Sequence, residues 1–237
     1  NARLACRDCG QLCGALGNIY KQISEYQVNL NTQIQKKVDR INEIGDEIAD
    51  LNKRICFYES DGVEHANDLR DRRNLLLDEL SQYINVTWRE EVDHQVTVIA
   101  EQTPFVTNNV VFHMSTMPQV ELLKRQLAKE YGDDPDALER ASDEAEKICN
   151  GAVMLVPVWP TYGDAEVFNF DMLPSTKANT DIGGLKGLIL ARGTRVGRYS
   201  DIPIKPREED YETDGVLDED AYAVAMARYE EAARTYN

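Results

Sequence analysis

Residues 14–57 contain no proline, and the first proline of the chain is Pro104. Within this stretch Leu16, Tyr20, Ile23, Leu30, Ile34, Val38, Ile41, Ile44, Ile48, Leu51 and Ile55 recur mostly three or four apart, with Gln, Asn, Lys, Asp and Glu between them. That spacing places the apolar side chains on one stripe of an α-helix. At 1.5 Å per residue the helix would be roughly 65 Å long, with a coiled-coil-like seam. A helix of that length exceeds an ordinary globular one, so the chain is expected to build a rod or bundle.

"YESDGVEHAND" (58–68) interrupts the pattern, with Asp61-Gly62 as the turn. Asn67 or Asp68 is expected to cap a second helix. Its buried side would come from Leu69, Leu75, Leu76, Leu77, Leu80 and Ile84. The short connection makes the two helices antiparallel neighbours.

From residue 85 the period changes to two. "NVTWREE" and "QVTVIAE" alternate about a "VDH" turn, and "NVVFHMS" repeats the alternation after "TPFVTN", which predicts a small antiparallel sheet. "VELLKRQLAKEYGDDPDALERASDEAEKIC" (120–149) reverts to helical spacing around Gly132-Asp-Asp-Pro135. "AVMLVPVWPTYGDAEVFNF" (152–170) predicts two more strands on either side of Thr161-Tyr-Gly-Asp164. "TDIGGLKGLILARG" (180–193) reads as a short helix after a glycine turn, and 198–215 as a proline-bearing loop or linker. Near the end Tyr222, Ala225, Tyr229, Ala232 or Ala233, and Tyr236 form one helical stripe, for which the long first helix is the expected partner.

The fold class is therefore α+β. A helical rod is drawn from both ends, residues 1–85 with 178–237, and a β-rich insert occupies 86–177 with a helical excursion at about 120–149. Asn1 is not Met, and helical patterns run into both ends; the chain is expected to be a piece of a longer protein and a monomer by itself.

Composition narrows the function. With 42 acidic against 26 basic residues the net charge is −16, which disfavours binding to a nucleic-acid backbone. No apolar run approaches the roughly 20 residues that cross a bilayer. Arg70, Arg72 and Arg73 alternate with Asp68 and Asp71 and lack interleaved aromatic residues. They read as a solvated helix face or a subunit contact, with Asp68–Arg72 and Asn74–Asp78 at i, i+4.

Cys6, Cys9 and Cys13 fall at i, i+3 and i+7, one helix face that would suit either a thiolate metal site or a seam of small apolar residues. No fourth ligand stands nearby. The five cysteines are too few for a disulfide scaffold. "GGLKG" (183–187) lacks the spacing of a phosphate-binding loop, so close packing or a helix start is the expected use of its glycines. His65, His94 and His113 are scattered, Glu90-Glu91 and Glu208-Glu209 sit in polar surroundings, and Asn85-Val86-Thr87 is a three-residue sequon match. No catalytic residues, cofactor or metal are expected.

Two motifs carry a family resemblance. "ANDLRDRRNLLLDELSQYINV" (66–86), after "VNLNTQIQKKVDRINEIGDEIADLNKRI" (28–55), resembles the flagellar hook-associated protein 1 family of bacteria, and "TDIGGLKGLILARG" is similar to its "GGLKGLL" segment. The resemblance covers residues 20 to 100 and 178 to 195. It implies a structural protein of the hook–filament junction, required for filament assembly and not an enzyme. It also implies export through the flagellar type III apparatus to an extracellular site. The implied partners are neighbouring copies in an axial ring, hook protein, a second junction protein and an export chaperone, with neither nucleic acid nor membrane among them. The alternatives are another flagellar axial protein, flagellin- or hook-like, a metal-binding or redox module on Cys6, Cys9 and Cys13, and an enzyme carried on the β insert.

Overall fold

The computed structural model describes the backbone of residues 2–60, 65–132, 136–149, 151–170, 183–194, 203–213 and 216–236, with side chains described from residue 10. It divides into two units, 1–194 and 195–237.

Helix α1 runs over Ala2–Glu59, and α2 over Asn67–Tyr83. The pairing of α2 with α1 is antiparallel: Arg40 meets Glu79, Glu47 meets Arg72, and Glu59 meets Arg70. On α1 the seam is buried from Leu30 onward, through Ile34, Val38, Ile41, Ile44, Ile48, Leu51 and Ile55. On α2, Leu76, Leu77 and Leu80 are buried with Ile84, whereas Leu75, expected on the same side, is 57% exposed. Position 75 is one residue before the buried pair, and a 100° step turns it outward.

The cap of α2 also differs from expectation. Ala66 is the N-cap and makes no side-chain cap bond. The exposed N-terminal end is served from outside, because Glu59 Oε1 accepts the Ala66 N–H at 2.8 Å.

The β residues form two sheets rather than one in this unit. Strands β1 (Val86–Glu90), β2 (Val96–Ala100), β3 (Thr103–Thr107) and β4 (Val110–Val111) run in that order as an antiparallel sheet. The segment "TPFVT", read as a connection, is itself a strand. Pro104 pairs with Ile99 where the register shifts, which is where a ladder tolerates a residue without an N–H. The second sheet has the order β5 (Ser115–Pro118), β6 (Leu155–Trp159), β7 (Ala165–Glu166), also antiparallel. Between β5 and β6 lie α3 (Gln119–Tyr131) and α4 (Ala137–Cys149), the helical excursion expected at 120–149.

Alternation places Val96, Val98 and Ala100 inward on β2. They join Phe105, Val106, Trp159 and the α1 and α2 residues in one continuous core. Helix α5 (Gly184–Arg192) closes it with Leu185 and Ile189. Burying side chains of this size contributes about 1.5–3 kcal/mol each.

In the C-terminal unit a 3-10 turn (Glu208–Tyr211) and strand β8 (Glu212–Thr213) occupy part of the stretch expected to be loop; strand β9 (Val216–Leu217) follows, and α6 (Glu219–Tyr236) is the helix expected at the end of the sequence. Asp218 accepts the Ala221 N–H at 3.0 Å and starts α6. Ala221, Tyr222, Ala225, Met226, Tyr229 and Ala233 are the half-buried positions among its described side chains. Among the described residues no helix is long and apolar enough to cross a membrane.

Candidate functional site

Among the described residues, the first half of α1 carries a run of exposed apolar side chains. Leu12, Leu16, Ile19 and Ile23 recur at helical spacing and are each more than half exposed, with Tyr20 and Tyr26 beside them. These residues continue the seam that is buried from Leu30 onward, so the stripe expected from the sequence is present, and among the described residues of the first unit it is buried only over its second half. Lys21 and Glu25 are the charged residues between positions 10 and 29, and they pair with each other at 3.8 Å. A neutral helix surface with an apolar stripe is suited to packing against another helix.

Residues 6, 9 and 13 all lie on this helix. Cys13 is exposed, while the side chains of Cys6 and Cys9 fall outside the described residues. Among the described residues no three His, Cys, Asp or Glu side chains stand together in a way that would hold a metal ion.

The arginine-rich stretch of α2 points inward more than its charge suggests. Arg73 is 2% exposed and donates to Asn52 Oδ1 at 3.0 Å and to the His94 carbonyl at 2.7 Å. Burial pushes its pKa down from the ordinary guanidinium value. Arg70 joins the end of α1 to the β1–β2 hairpin, through Glu59 at 2.5 Å and Glu90 at 2.7 Å. The hydrogen-bonded Arg70 guanidinium holds the Glu59 carboxyl at about 2, against the desolvation that would raise it. Arg72 reaches Glu47 on α1 at 2.9 Å rather than Asp68 on its own helix. These side chains are therefore the means by which α2 is fastened to its neighbours.

Of the "GGLKG" glycines, Gly183 and Gly184 serve close packing and a helix start, as expected, whereas Gly187 has open space beside it. Gly183 has φ +119°, and a Cβ there would lie 2.5 Å from the Tyr83 carbonyl oxygen. The turn thus brings the start of α5 against the end of α2. The histidines are not gathered: His113 meets Asp46 at 2.9 Å, and His94 lies 3.9 Å from Glu59 and 3.8 Å from Glu90. His65 lines a separate groove with Arg54 and Tyr58. A larger open groove of about 700 Å³ runs between α4 and residues 151–153, lined by Val120, Asp143, Glu146, Cys149 and Val153.

Three asparagines on α1, unremarked in the sequence, occupy central positions. Asn31, Asn42 and Asn52 each bond backbone N–H and C=O groups at the start of a strand. Their types and spacing resemble those of the exposed polar residues around them, so the pattern alone could not single them out.

Comparison with known proteins places this arrangement. Four solved chains match, and among these the chain is similar to the flagellar hook junction protein FlgK from Burkholderia pseudomallei. That likeness has 27% identity and a TM-score of 0.39, and it covers 42% of this chain and 17% of that one. No curated protein matches. The model of the flagellar hook-associated protein FlgK helical domain matches residues 3–146, a stretch that takes in α1, α2, the first sheet, α3 and most of α4. With more than half of its length matched, the chain belongs to the family of the flagellar hook-associated protein FlgK helical domain.

Proposed function

We propose that this chain is part of a structural protein that forms the junction between hook and filament of the bacterial flagellum and is required for filament assembly. The observation that carries the reading is the family match over residues 3–146. The half-exposed seam of α1 supports it, since a stripe left uncovered at Leu12–Ile23 suits a helix that packs in an assembly. In this reading the rod comprises residues 1–85 with 178–237, and 86–177 is the β-rich side domain. The partners are neighbouring copies in an axial ring, hook protein, a second junction protein and an export chaperone. The location is extracellular, reached through the flagellar type III apparatus, and the role is mechanical rather than catalytic.

Immunogold labelling with an antibody against this chain tests the position. Gold confined to a narrow band between hook and filament is expected. Gold along the whole filament, or confined to the cell body, would contradict the reading.

A further inference from the structure

Three asparagines of α1, Asn31, Asn42 and Asn52, form a set. Asn52 Nδ2 donates to the Val96 carbonyl at 2.8 Å, and its Oδ1 accepts the Val96 N–H at 3.0 Å. Asn42 treats Met114 in the same way, at 2.8 and 2.9 Å. Asn31 bonds the Val153 carbonyl at 2.6 Å and the Leu155 N–H at 3.2 Å. A carboxamide carries one acceptor and a donor pair in a plane, so it can satisfy a strand backbone as another peptide group would.

The targets are not scattered. Val96 is the first residue of β2, Met114 immediately precedes β5, and Leu155 is the first residue of β6. Strand β2 is an inner strand of the first sheet, and β6 is the central strand of the second. The two outer asparagines are each held by a buried arginine from a flanking helix. Arg73 of α2 donates to Asn52 Oδ1 at 3.0 Å, and Arg192 of α5 donates to Asn31 Oδ1 at 2.7 Å. Arg192 also donates to the Leu155 carbonyl, so both arginines bond backbone at or just before a strand start as well as the amide.

We infer that Asn31, Asn42 and Asn52 clamp both sheets to α1 so that rod helix and β region open and close as one cooperative unit. The clamps lie ten and eleven residues apart, about 15–17 Å along the helix axis. A force entering through the first sheet therefore reaches α1 at Asn52, and one entering through the second reaches it at Asn42 and Asn31. Buried amide–backbone bonds resist opening because breaking one leaves polar groups unsatisfied. A load-bearing junction protein would use such coupling, and the coupling itself does not depend on that role.

Hydrogen–deuterium exchange of the chain, read by peptide mass spectrometry, is the test. In the wild type the slowest amides of α1 residues 34–55 and of β2, β5 and β6 are expected to exchange through a common opening. In Asn42→Leu the amides of β5 and β6 should exchange about tenfold faster while α1 keeps its protection, as loss of a part-buried pair of bonds implies. Asn29→Leu, at an exposed position of α1, is the control. Asn42→Asp keeps the acceptor and shape and serves if the leucine variant does not fold. Strands that already open independently of α1 in the wild type would overturn the inference. So would an Asn42 variant that matches the control, or one that loosens α1 and both sheets uniformly.

Discussion

A methyl group at Gly45 would lie 2.6 Å from Cζ of Phe105 and 3.0 Å from Cγ1 of Val111. Phe105 is fully buried and packs against Trp159, ring centroids 6.0 Å apart at a 54° tilt. The glycine in mid-helix is therefore a seat for the first sheet. In an isolated helix Gly→Ala stabilises by about 1 kcal/mol. Here the ring must shift inside a packed core, which costs about 1–3 kcal/mol. Gly45→Ala is expected to lower the urea midpoint of unfolding despite its better helix propensity. An unchanged or higher midpoint would show that the ring has room to move.

Glu59 and Arg70 make stability depend on acid. The folded carboxyl is held at about 2, below its ordinary 4.5. A depressed carboxylate contributes stability that is complete above its unfolded pKa and is lost as pH falls through the folded value. Glu59→Gln should therefore destabilise by about 1–3 kcal/mol at pH 7, the range for hydrogen bonds to charged groups. The gap between variant and wild type should shrink between pH 4.5 and 2. Denaturant titrations at pH 7 and pH 3 compare them directly.

Gly183→Ala should destabilise by about 2 kcal/mol or more, since φ +119° is unfavourable for alanine and the added carbon meets the Tyr83 carbonyl oxygen. Gly187, four residues on, has open space where its Cβ would be. Gly187→Ala, inside α5, should be neutral or stabilising by up to about 1 kcal/mol. Thermal unfolding of the two variants side by side distinguishes a packing role of the turn from general sensitivity of that helix.

Ile23→Ser alters the exposed stripe of α1 and little else. Its effect on the stability of the purified chain should be within about 0.5 kcal/mol. In cells the same change is expected to reduce filament assembly and motility, because the stripe is proposed to be covered in the assembly. Full motility with Ile23→Ser and Leu16→Ser combined would remove the stripe from the contact surface.

Much of this architecture is legible in residue spacing. The i, i+3, i+4 rhythm from Leu30 to Ile55 marks α1, and the period-two alternation of Val96, Val98 and Ala100 marks the inward face of β2. Family motifs around "DLRDRR" and "GGLKG" pointed to the hook-associated proteins. What escaped notice depends on contacts between distant segments. Arg73 resembles Arg72 in sequence, yet one is buried on the His94 carbonyl and the Asn52 side chain and the other pairs at the surface. The strand at "TPFVT" shows only in its pairing, where Pro104 stands opposite Ile99 at a register shift. Gly45 has meaning only beside Phe105, and Asn42 only beside Met114, partners 60 and 72 residues away in the chain.

The most direct test of the junction role is electron microscopy of cells lacking the gene that encodes this chain, with flagellin measured in the medium. The account predicts bare hooks and flagellin shed into the medium, both reversed by the full-length gene. Normal filaments on the deletion strain would contradict it.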